Sequence, residues 1–203
     1  VDLVAFLGEL HDEFVELGLG DEIVSVTAVD EFSANRFLVV ATRQGRIKRS
    51  ALSAYGNARA SGIIGAGLNR GDEVVSAFVT DGATDLVLAT RFGQAIRFPE
   101  TAIRPMGRTA RGVKGIDLSD GDVVVVVLAP RADGDLLAAT TNGYGKRIPF
   151  TEFKAQGRAG KGLQILPDRS KAGHLAGLLE VHPGDHIAWE LSDGTSEMTS
   201  VDS

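Results

Sequence analysis

The sequence Thr140-Thr141-Asn142-Gly143-Tyr144-Gly145-Lys146-Arg147-Ile148-Pro149-Phe150 leads, after five residues, into Gln156-Gly157-Arg158-Ala159-Gly160-Lys161-Gly162. This stretch combines an Asn-Gly turn, two adjacent cations and a basic loop that is rich in glycine. Fainter copies lie about 50 and about 100 residues upstream. The stretch is therefore one member of an internal repeat and has to be interpreted against its copies.

The repeat is clearest at four turn glycines, which are spaced by 48, 50 and 51 residues: Gly45, Gly93, Gly143 and Gly194. Seven residues before each stands a branched apolar residue: Leu38, Leu86, Leu136 and Ile187. Two other landmarks recur, at Gly62, Gly112 and Gly162 and at Gly20-Asp21, Gly71-Asp72 and Gly121-Asp122. The pattern predicts a unit of strand, type I′ turn, strand, basic loop and strand, because Asn-Gly and Asp-Gly favour that turn.

A repeat of about 50 residues made of strands predicts an all-β fold of propeller-like blades, which bury both faces only by stacking. We expect one domain, residues 1–203, with about four blades. Its repeats cover about 37–83, 84–134 and 135–186, with partial repeats at both ends. The run 123–127 is apolar throughout and should be covered on both faces. Residues 3–17 are the exception, since their apolar spacing fits a short helix or an irregular strand lead-in.

Composition narrows the possible functions. The chain has no Cys, which excludes disulfides and thiolate metal sites, and no apolar run of the roughly 18 residues that span a membrane. We see no signal peptide, and the start at Val1 suggests a piece of a longer protein. Although the net charge is −6, residues 36–171 hold all 21 Lys and Arg with 12 acids, a net of +9. A basic centre between acidic ends indicates either an anionic partner or an unevenly charged solvated surface.

The basic loops vary around a common form. The first copy, 55–62, has one cation, the second, 106–114, has three, and the third, 156–162, has two. Glycines let a backbone approach an anion, and cations repeated on successive blades suit an extended polyanion such as duplex DNA. The alternative is that the glycines only permit tight connections and the cations are solvated. The predicted DNA contacts are Arg43, Arg46, Lys48, Arg49, Arg91, Arg97, Arg108, Arg111, Lys114, Lys146, Arg147, Arg158 and Lys161.

Competing motifs are weak. The spacing before Gly160-Lys161 excludes a P-loop, and Gly143-Tyr144-Gly145 lies in a hairpin rather than at a strand-to-helix turn. His182, Asp185 and His186 could ligate a metal, but they flank Pro183-Gly184, so a turn is favoured and no metal or cofactor is predicted. The alternative function is a propeller-type scaffold that binds acidic protein. A propeller enzyme would need convergent acids or histidines, which the repeats do not contain.

Several motifs, in order, resemble the C-terminal domain of the bacterial DNA gyrase A subunit, or the related topoisomerase IV subunit. They are 29–32, 38–49, Arg97-Phe98, 104–115, Gly121-Asp122, 130–134 and 140–147, within a resemblance that covers roughly 17–195. The resemblance implies a β-pinwheel whose blades exchange strands and whose basic rim wraps DNA. Such a module is not catalytic by itself and serves an ATP-dependent type II topoisomerase. Its implied partners are duplex DNA, the gyrase B subunit and the rest of the gyrase A subunit, with no membrane.

The resemblance also implies a cytoplasmic, nucleoid-associated location, and we expect the isolated fragment to be monomeric. One departure concerns the gyrase box, a basic glycine-rich heptad led by glutamine, which normally belongs to the first blade. Its nearest match here is the segment 156–162, and by register this belongs to a later blade. This copy has Gly157 and Ala159 where the usual form has a cation and a glycine. We therefore interpret it as a degenerate copy, whose isolated chain could bind DNA weakly without wrapping it.

Overall fold

The computed structural model describes residues 3–7, 22–58, 62–131, 133–166 and 169–202, with the backbone alone described at 3–7 and 169. The strands are β1 Leu3–Leu7, β2 Ile23–Ala28, β3 Phe37–Thr42, β4 Arg46–Ala51, β5 Val74–Thr80, β6 Asp85–Thr90, β7 Gln94–Pro99, β8 Val113–Lys114, β9 Val124–Leu128, β10 Asp135–Thr140, β11 Gly145–Pro149, β12 Leu163–Gln164, β13 Leu175–Val181, β14 His186–Glu190 and β15 Ser196–Ser200. The helical segments are 3-10 turns at Leu52–Tyr55, Glu100–Ala102 and Phe150–Glu152 and one short α-helix, α1, at Arg169–Ala172. Across these described ranges, no helix is both long and apolar enough to cross a membrane. The predicted all-β class is confirmed.

The amino-terminal segment begins with a strand rather than a helix. β1 pairs in parallel with β2, with Val4 opposite Ser25 and Leu7 opposite Ala28. The strand alternative therefore holds for residues 3–7, and the helix alternative is wrong there. The remainder of the apolar pattern, residues 8–17, lies outside the described residues.

The hairpins β3–β4, β6–β7, β10–β11 and β14–β15 all close in the same way. Each turn glycine has φ between 76° and 83°, and its N–H donates to the carbonyl three residues back at 2.9–3.0 Å. Within the described ranges, the only non-glycine residue with positive φ is Ala159. The predicted type I′ turn is therefore wrong. The loop has three residues and ends in a glycine bulge, which needs one left-handed residue instead of two.

Each of three hairpins acquires a third strand from its own repeat and, in two cases, a fourth from the next repeat. β5 pairs with β3, β9 with β6, and β13 with β10, all antiparallel. β8 then pairs with β4 and β12 with β7. Blade 1 is thus β5-β3-β4-β8, blade 2 is β9-β6-β7-β12 and blade 3 is β13-β10-β11. The blades exchange strands, as the pinwheel resemblance implies, so each four-stranded sheet joins two sequence repeats.

The hydrophobic core lies between blades, and strand periodicity explains how it is divided. In β3, Leu38 and Val40 belong to an outer cluster with Tyr55, while Val39 and Ala41 pack towards blade 2. β6 alternates in the same way between the clusters shared with blade 1 and with blade 3. Successive side chains of a strand point to opposite faces, so an all-apolar strand is covered twice. Each fully buried leucine contributes roughly 1.5–3 kcal/mol.

The Gly71-Asp72 and Gly121-Asp122 pairs connect the hairpin turns of blades 1 and 2 to the strand beside each turn. Asp72 is buried, and its carboxylate accepts the Gln44 N–H at 2.9 Å and the Thr42 hydroxyl at 2.7 Å. Asp122 accepts the Phe92 N–H at 2.9 Å in blade 2. The repeated Gly-Asp pair therefore has a structural role: its buried carboxylate accepts hydrogen bonds from turn N–H groups that would otherwise lack partners.

Candidate nucleic-acid interface

Loop 2 (residues 106–114) and loop 3 (residues 156–162) run along the outer edges of blades 1 and 2. The Met106 N–H donates to the Arg49 carbonyl at 2.9 Å, and the Gly115 N–H donates to the Gly45 carbonyl at 2.8 Å, so loop 2 follows the whole of β4. The equivalent bonds of loop 3 run from the amides of Gln156 and Ile165 to the carbonyls of Arg97 and Gly93, at 2.7 and 2.8 Å. Loop 1 has one cation, Arg59, which lies outside the described residues.

Arg108 and Arg158 occupy equivalent positions, 50 residues apart, and make equivalent contacts. Arg108 Nη1 donates to the Ile64 carbonyl at 3.1 Å, and Arg158 Nη1 donates to the Lys114 carbonyl at 3.1 Å. The two acceptors are also 50 residues apart. Each arginine therefore rests on the preceding loop. A guanidinium has five N–H donors, so these bonds leave donors free for an anion.

Three more loop cations are exposed or nearly so: Arg111, Lys114 and Lys161. Lys114 pairs with Asp117, and this bond, followed by the charge of Lys114, lowers the pKa of the Asp117 carboxyl. Among the described residues, no carboxylate lies within ion-pair distance of Arg111 or Lys161. The charge of Arg111 is thus available to an external anion, that of Lys161 acts on Asp117 only from beyond ion-pair distance, and that of Lys114 is partly neutralised.

The glycines of these loops permit close approach to the blade edge. Gly162 has φ 76°, and a Cβ there would lie 2.3 Å from the Ala95 carbonyl oxygen. Gly112 is equally confined against the Ile47 carbonyl, at 2.5 Å. Ala159 adopts φ 68°, the left-handed region. A glycine suits that conformation better than an alanine.

Lys48 is a correction to the predicted contacts. It is 2% exposed, and its Nζ donates to the carbonyls of Gly65 at 2.9 Å, Gly107 at 3.4 Å and Arg108. Burial, and secondarily the charge of Arg108, lowers the pKa of Lys48 from 10.5 to about 8. The side chain joins two connecting segments beneath the surface and is not accessible to DNA.

Arg97 is a second correction, because it connects blade 2 to blade 3. Its Nε donates to Asp85 Oδ2 at 2.7 Å. Its Nη1 donates to the carbonyls of Phe150 and Phe153, at 3.2 and 2.9 Å, and its guanidinium lies 3.8 Å from the Phe150 ring centroid. This arginine is a latch between blades, and its Nε and Nη1 donors are engaged by protein acceptors.

The other two arginines at this repeat position form latches of the same kind. Arg49 is buried, and its Nε donates to the Ile103 carbonyl of the next repeat at 2.6 Å. It stacks on Phe37, which replaces the aspartate of the later repeats, at 4.6 Å. Arg147 pairs with Asp135 at 2.6 Å and donates to the Val201 carbonyl at 3.1 Å. Arg49 is therefore removed from the predicted contacts, and Arg147, although partly exposed, is engaged in a latch.

The remaining predicted contacts are distributed over the hairpin ends and edges. Arg43 pairs with Glu73 at 3.4 Å, and Arg91 donates to the Gly121 carbonyl at 2.9 Å. Arg46 donates to the carbonyls of Arg111 and Gly112 in loop 2, at 3.0 and 2.5 Å. Lys146 is exposed on β11. Arg46 therefore lies against loop 2, whereas Arg43 and Arg91 contact residues just before β5 and β9, outside the two loops.

Sequence reasoning missed two exposed cations, Arg104 and Lys154, which stand just after the 3-10 turns of blades 2 and 3. They are also 50 residues apart. The signal was present in the repeat spacing, although neither residue lies within a glycine-rich loop. With them, three cation pairs match between consecutive repeats: Arg104 with Lys154, Arg108 with Arg158, and Arg111 with Lys161.

Comparisons with known proteins agree with this architecture. The DNA gyrase A subunit of Clostridium acetobutylicum is 41% identical over 96 residues, which are 47% of this chain and 12% of that protein. The chain thus spans about an eighth of the length of the curated relatives it matches. The solved C-terminal domain of DNA topoisomerase IV has a TM-score of 0.80 at 30% identity, covering 86% of this chain and 55% of that one. The solved DNA gyrase A C-terminal domain has a TM-score of 0.73 at 25% identity, covering 85% and 58%.

The family described as the DNA gyrase C-terminal domain, beta-propeller, matches residues 36–81, 84–130 and 134–182. Each matched segment contains one of the first three hairpins and the strand that follows its loop. With three repeats matched over more than half of its length, the chain belongs to the DNA gyrase C-terminal domain family.

Proposed function

We propose that this chain is a non-catalytic module of a type IIA DNA topoisomerase and that it binds duplex DNA along the outer edges of its blades. The observation that supports this is the set of three matched cation pairs on consecutive repeats. A phosphate backbone presents charge at regular intervals, so a periodic row of cations is complementary to it. The interface consists of Arg104, Arg108, Arg111, Lys154, Arg158 and Lys161, with Lys114 as a weaker member.

The same row would bend DNA around the blades and support wrapping for strand passage. In the parent enzyme, the gyrase B subunit together with the remainder of the gyrase A subunit would supply DNA cleavage and ATP hydrolysis. We further propose a cytoplasmic location on nucleoid DNA, a monomeric state for the isolated chain, and a single domain whose repeats follow the boundaries given above. Support comes from the family membership together with the row of cations.

A salt titration tests the proposal. Fluorescence anisotropy with a labelled duplex of about 30 base pairs should give a linear fall of log K with log salt concentration. The double variant Arg111→Glu/Lys161→Glu removes two phosphate contacts and should flatten the slope by about 2. Lys171→Glu is the control, because Lys171 is exposed on α1 and belongs to neither loop. It should leave the slope nearly unchanged.

The affinity and its salt dependence together distinguish the possible results. Equal losses on unrelated duplex sequences are expected, because phosphate contacts carry no sequence information. Absence of binding at about 50 mM salt would contradict DNA binding outright, since electrostatic binding is strongest at low salt. Equal effects of the loop variant and the control would contradict the assigned surface.

A further inference from the structure

A second charged cluster lies where the turn between β9 and β10 meets the end of β13, away from the loop cations. Asp133 belongs to that turn, and Glu180 and His182 belong to the end of β13 and the residue after it. Each offers one ligand atom, and the three atoms lie within 4.8 Å of one another. Residues 133 and 180 are far apart in sequence, so only the fold assembles this set.

The distances fit a metal coordination shell. His182 Nε2 lies 3.2 Å from Glu180 Oε1 and 3.7 Å from Asp133 Oδ1. Nitrogen and oxygen ligands bind Zn²⁺ at about 2.0–2.2 Å, so neighbouring ligand atoms of one ion are separated by roughly 3.0–3.5 Å. The cluster therefore needs only small side-chain shifts to surround one ion.

The charges of the cluster also favour a cation. His182 Nε2 is buried and has no hydrogen-bond partner among the described residues. Glu180 Oε1 lies within ion-pair distance of it, but the geometry of this contact is not that of a hydrogen bond. Asp185 Oδ2 lies 3.8 Å from the other ring nitrogen. Arg131 donates to both Glu180 oxygens, from Nε to Oε1 at 3.2 Å and from its backbone N–H to Oε2 at 3.1 Å. It therefore neutralises one of the three carboxylates, and a metal ion would share Oε1 with it or displace its side chain. Lone pairs that converge in this way repel one another unless a positive charge lies between them.

We propose that Asp133, Glu180 and His182 bind a divalent transition-metal ion of the Zn²⁺ class, with water completing the coordination. An imidazole nitrogen selects this class over Mg²⁺ and Ca²⁺, which prefer all-oxygen sites. Residue 134 is a glycine, which keeps the space beside the site open. A Cβ at this position would lie only 3.1 Å from His182 Nε2. From the sequence, we predicted a turn at 182–186 rather than a metal site, and the candidate ligands were His182, Asp185 and His186. In the structure, His186 lies outside the cluster. A bound ion would tie the connection between blades 2 and 3 to β13.

Isothermal titration of the metal-free 203-residue chain, without a histidine tag, with ZnCl₂ tests the site. We expect one ion per chain, and Co²⁺ should give a visible absorption band from a site of low coordination number. His182→Ala should weaken Zn²⁺ binding by about 100-fold or more, and Asp133→Asn by about tenfold or more. His186→Ala is the matched control and should change the affinity less than about twofold, because His186 is outside the cluster.

Two results would overturn the proposal. One is the absence of saturable Zn²⁺ binding by the metal-free chain. The other is wild-type affinity in both His182→Ala and Asp133→Asn. If circular dichroism shows that His182→Ala is unfolded, Asp133→Asn decides alone, because the Asp133 side chain is 79% exposed and dispensable for packing. Titration with MgCl₂ should show no saturable binding at the Zn²⁺ concentrations used, and tight Mg²⁺ binding would contradict the assigned metal class.

Discussion

Replacement of Arg97 by methionine separates the two roles that a repeated arginine can have in this fold. As a latch, Arg97 pairs with Asp85 of its own blade and holds blade 3 through two carbonyls and one aromatic ring. As a DNA contact, it would instead bind a phosphate. Methionine retains much of the apolar stem while removing every donor, so the variant tests the polar contacts specifically.

The magnitude follows from those contacts. The Arg97 and Asp85 side chains are 19% and 24% exposed, so their ion pair is only partly screened. Hydrogen bonds that involve a charged group contribute about 1.5–3 kcal/mol each, but they share one side chain and are not additive. The cation–π contact adds about 0.5–2 kcal/mol. We expect Arg97→Met to lower the free energy of unfolding by about 2–4 kcal/mol, a range that also reflects the unpaired Asp85 left behind.

Urea denaturation of the 203-residue chain, followed by two spectroscopic probes to check for two-state behaviour, measures this loss. Arg43→Met is the matched control. Arg43 makes an exposed ion pair with Glu73, so its removal should cost less than about 1 kcal/mol. Arg97→Lys should recover only part of the stability, because an ammonium cannot reproduce the planar set of donors. In the DNA titration, Arg97→Met should leave the salt slope unchanged, provided that the measurement is made where the variant is folded.

The reasoning would be refuted by a stable Arg97→Met variant that has a flatter salt slope. That combination would mean that the guanidinium contacts phosphate and that its bonds to blade 3 contribute little. A loss equal to that of Arg43→Met would likewise contradict the latch.

Three further predictions concern the loops and the buried lysine. Gly162→Ala should lower the free energy of unfolding by about 2–4 kcal/mol in urea denaturation, because it combines a left-handed φ with a backbone clash. Gly157→Ala in the same loop is the control and should be nearly neutral, because its Cβ would meet nothing within 4 Å. Ala159→Gly should stabilise by about 0.5 kcal/mol, since relief of a left-handed alanine exceeds the added entropy of the unfolded chain; a destabilised variant would argue against strain. The pKa of Lys48 is about 8 in the fold and 10.5 otherwise, so between these values the unfolded chain binds more protons and stability rises with pH. Relative to Lys48→Met, the wild-type chain should therefore gain about 2 kcal/mol of stability from pH 7 to pH 9.5, and a flat difference would contradict the lowered pKa.

Sequence patterns were sufficient for the general fold because a repeat constrains every copy at once. The all-apolar run 123–127 predicted a strand covered on both faces, and β9 confirms it, because Val124 and Val127 pack in one cluster and Val125 and Val126 pack against another. The turn type was predicted wrongly because Asn-Gly and Asp-Gly are compatible with both a type I′ turn and a glycine bulge. Only the hydrogen bond that closes the loop distinguishes the two, and this bond is not visible in the residue types.

The candidate site was harder to predict, because residue type and period do not show the direction of a side chain. Arg97 and Arg158 both recur at fixed repeat positions, yet one is a latch and the other lies exposed on a loop. Burial of Lys48 depends on three carbonyls contributed by connecting segments 17 to 60 residues away in sequence. The metal cluster has the same origin, since Asp133 meets His182 only after blade 3 closes.

Strand exchange explains why the sequence did not distinguish the arginines that connect blades from the cations that are exposed on the loops. β8 and β12 bring each basic loop onto the edge of the preceding blade, where the latch arginines also begin. Loops 2 and 3 therefore start beside the latch arginines, because the N–H groups of Met106 and Gln156 donate to the carbonyls of Arg49 and Arg97. A variant that loosens a latch also displaces the neighbouring loop, so it can weaken DNA binding without touching a phosphate. Affinity alone cannot distinguish these causes, whereas the salt slope can, because it depends on the number of phosphates neutralised and not on the stability of the blades.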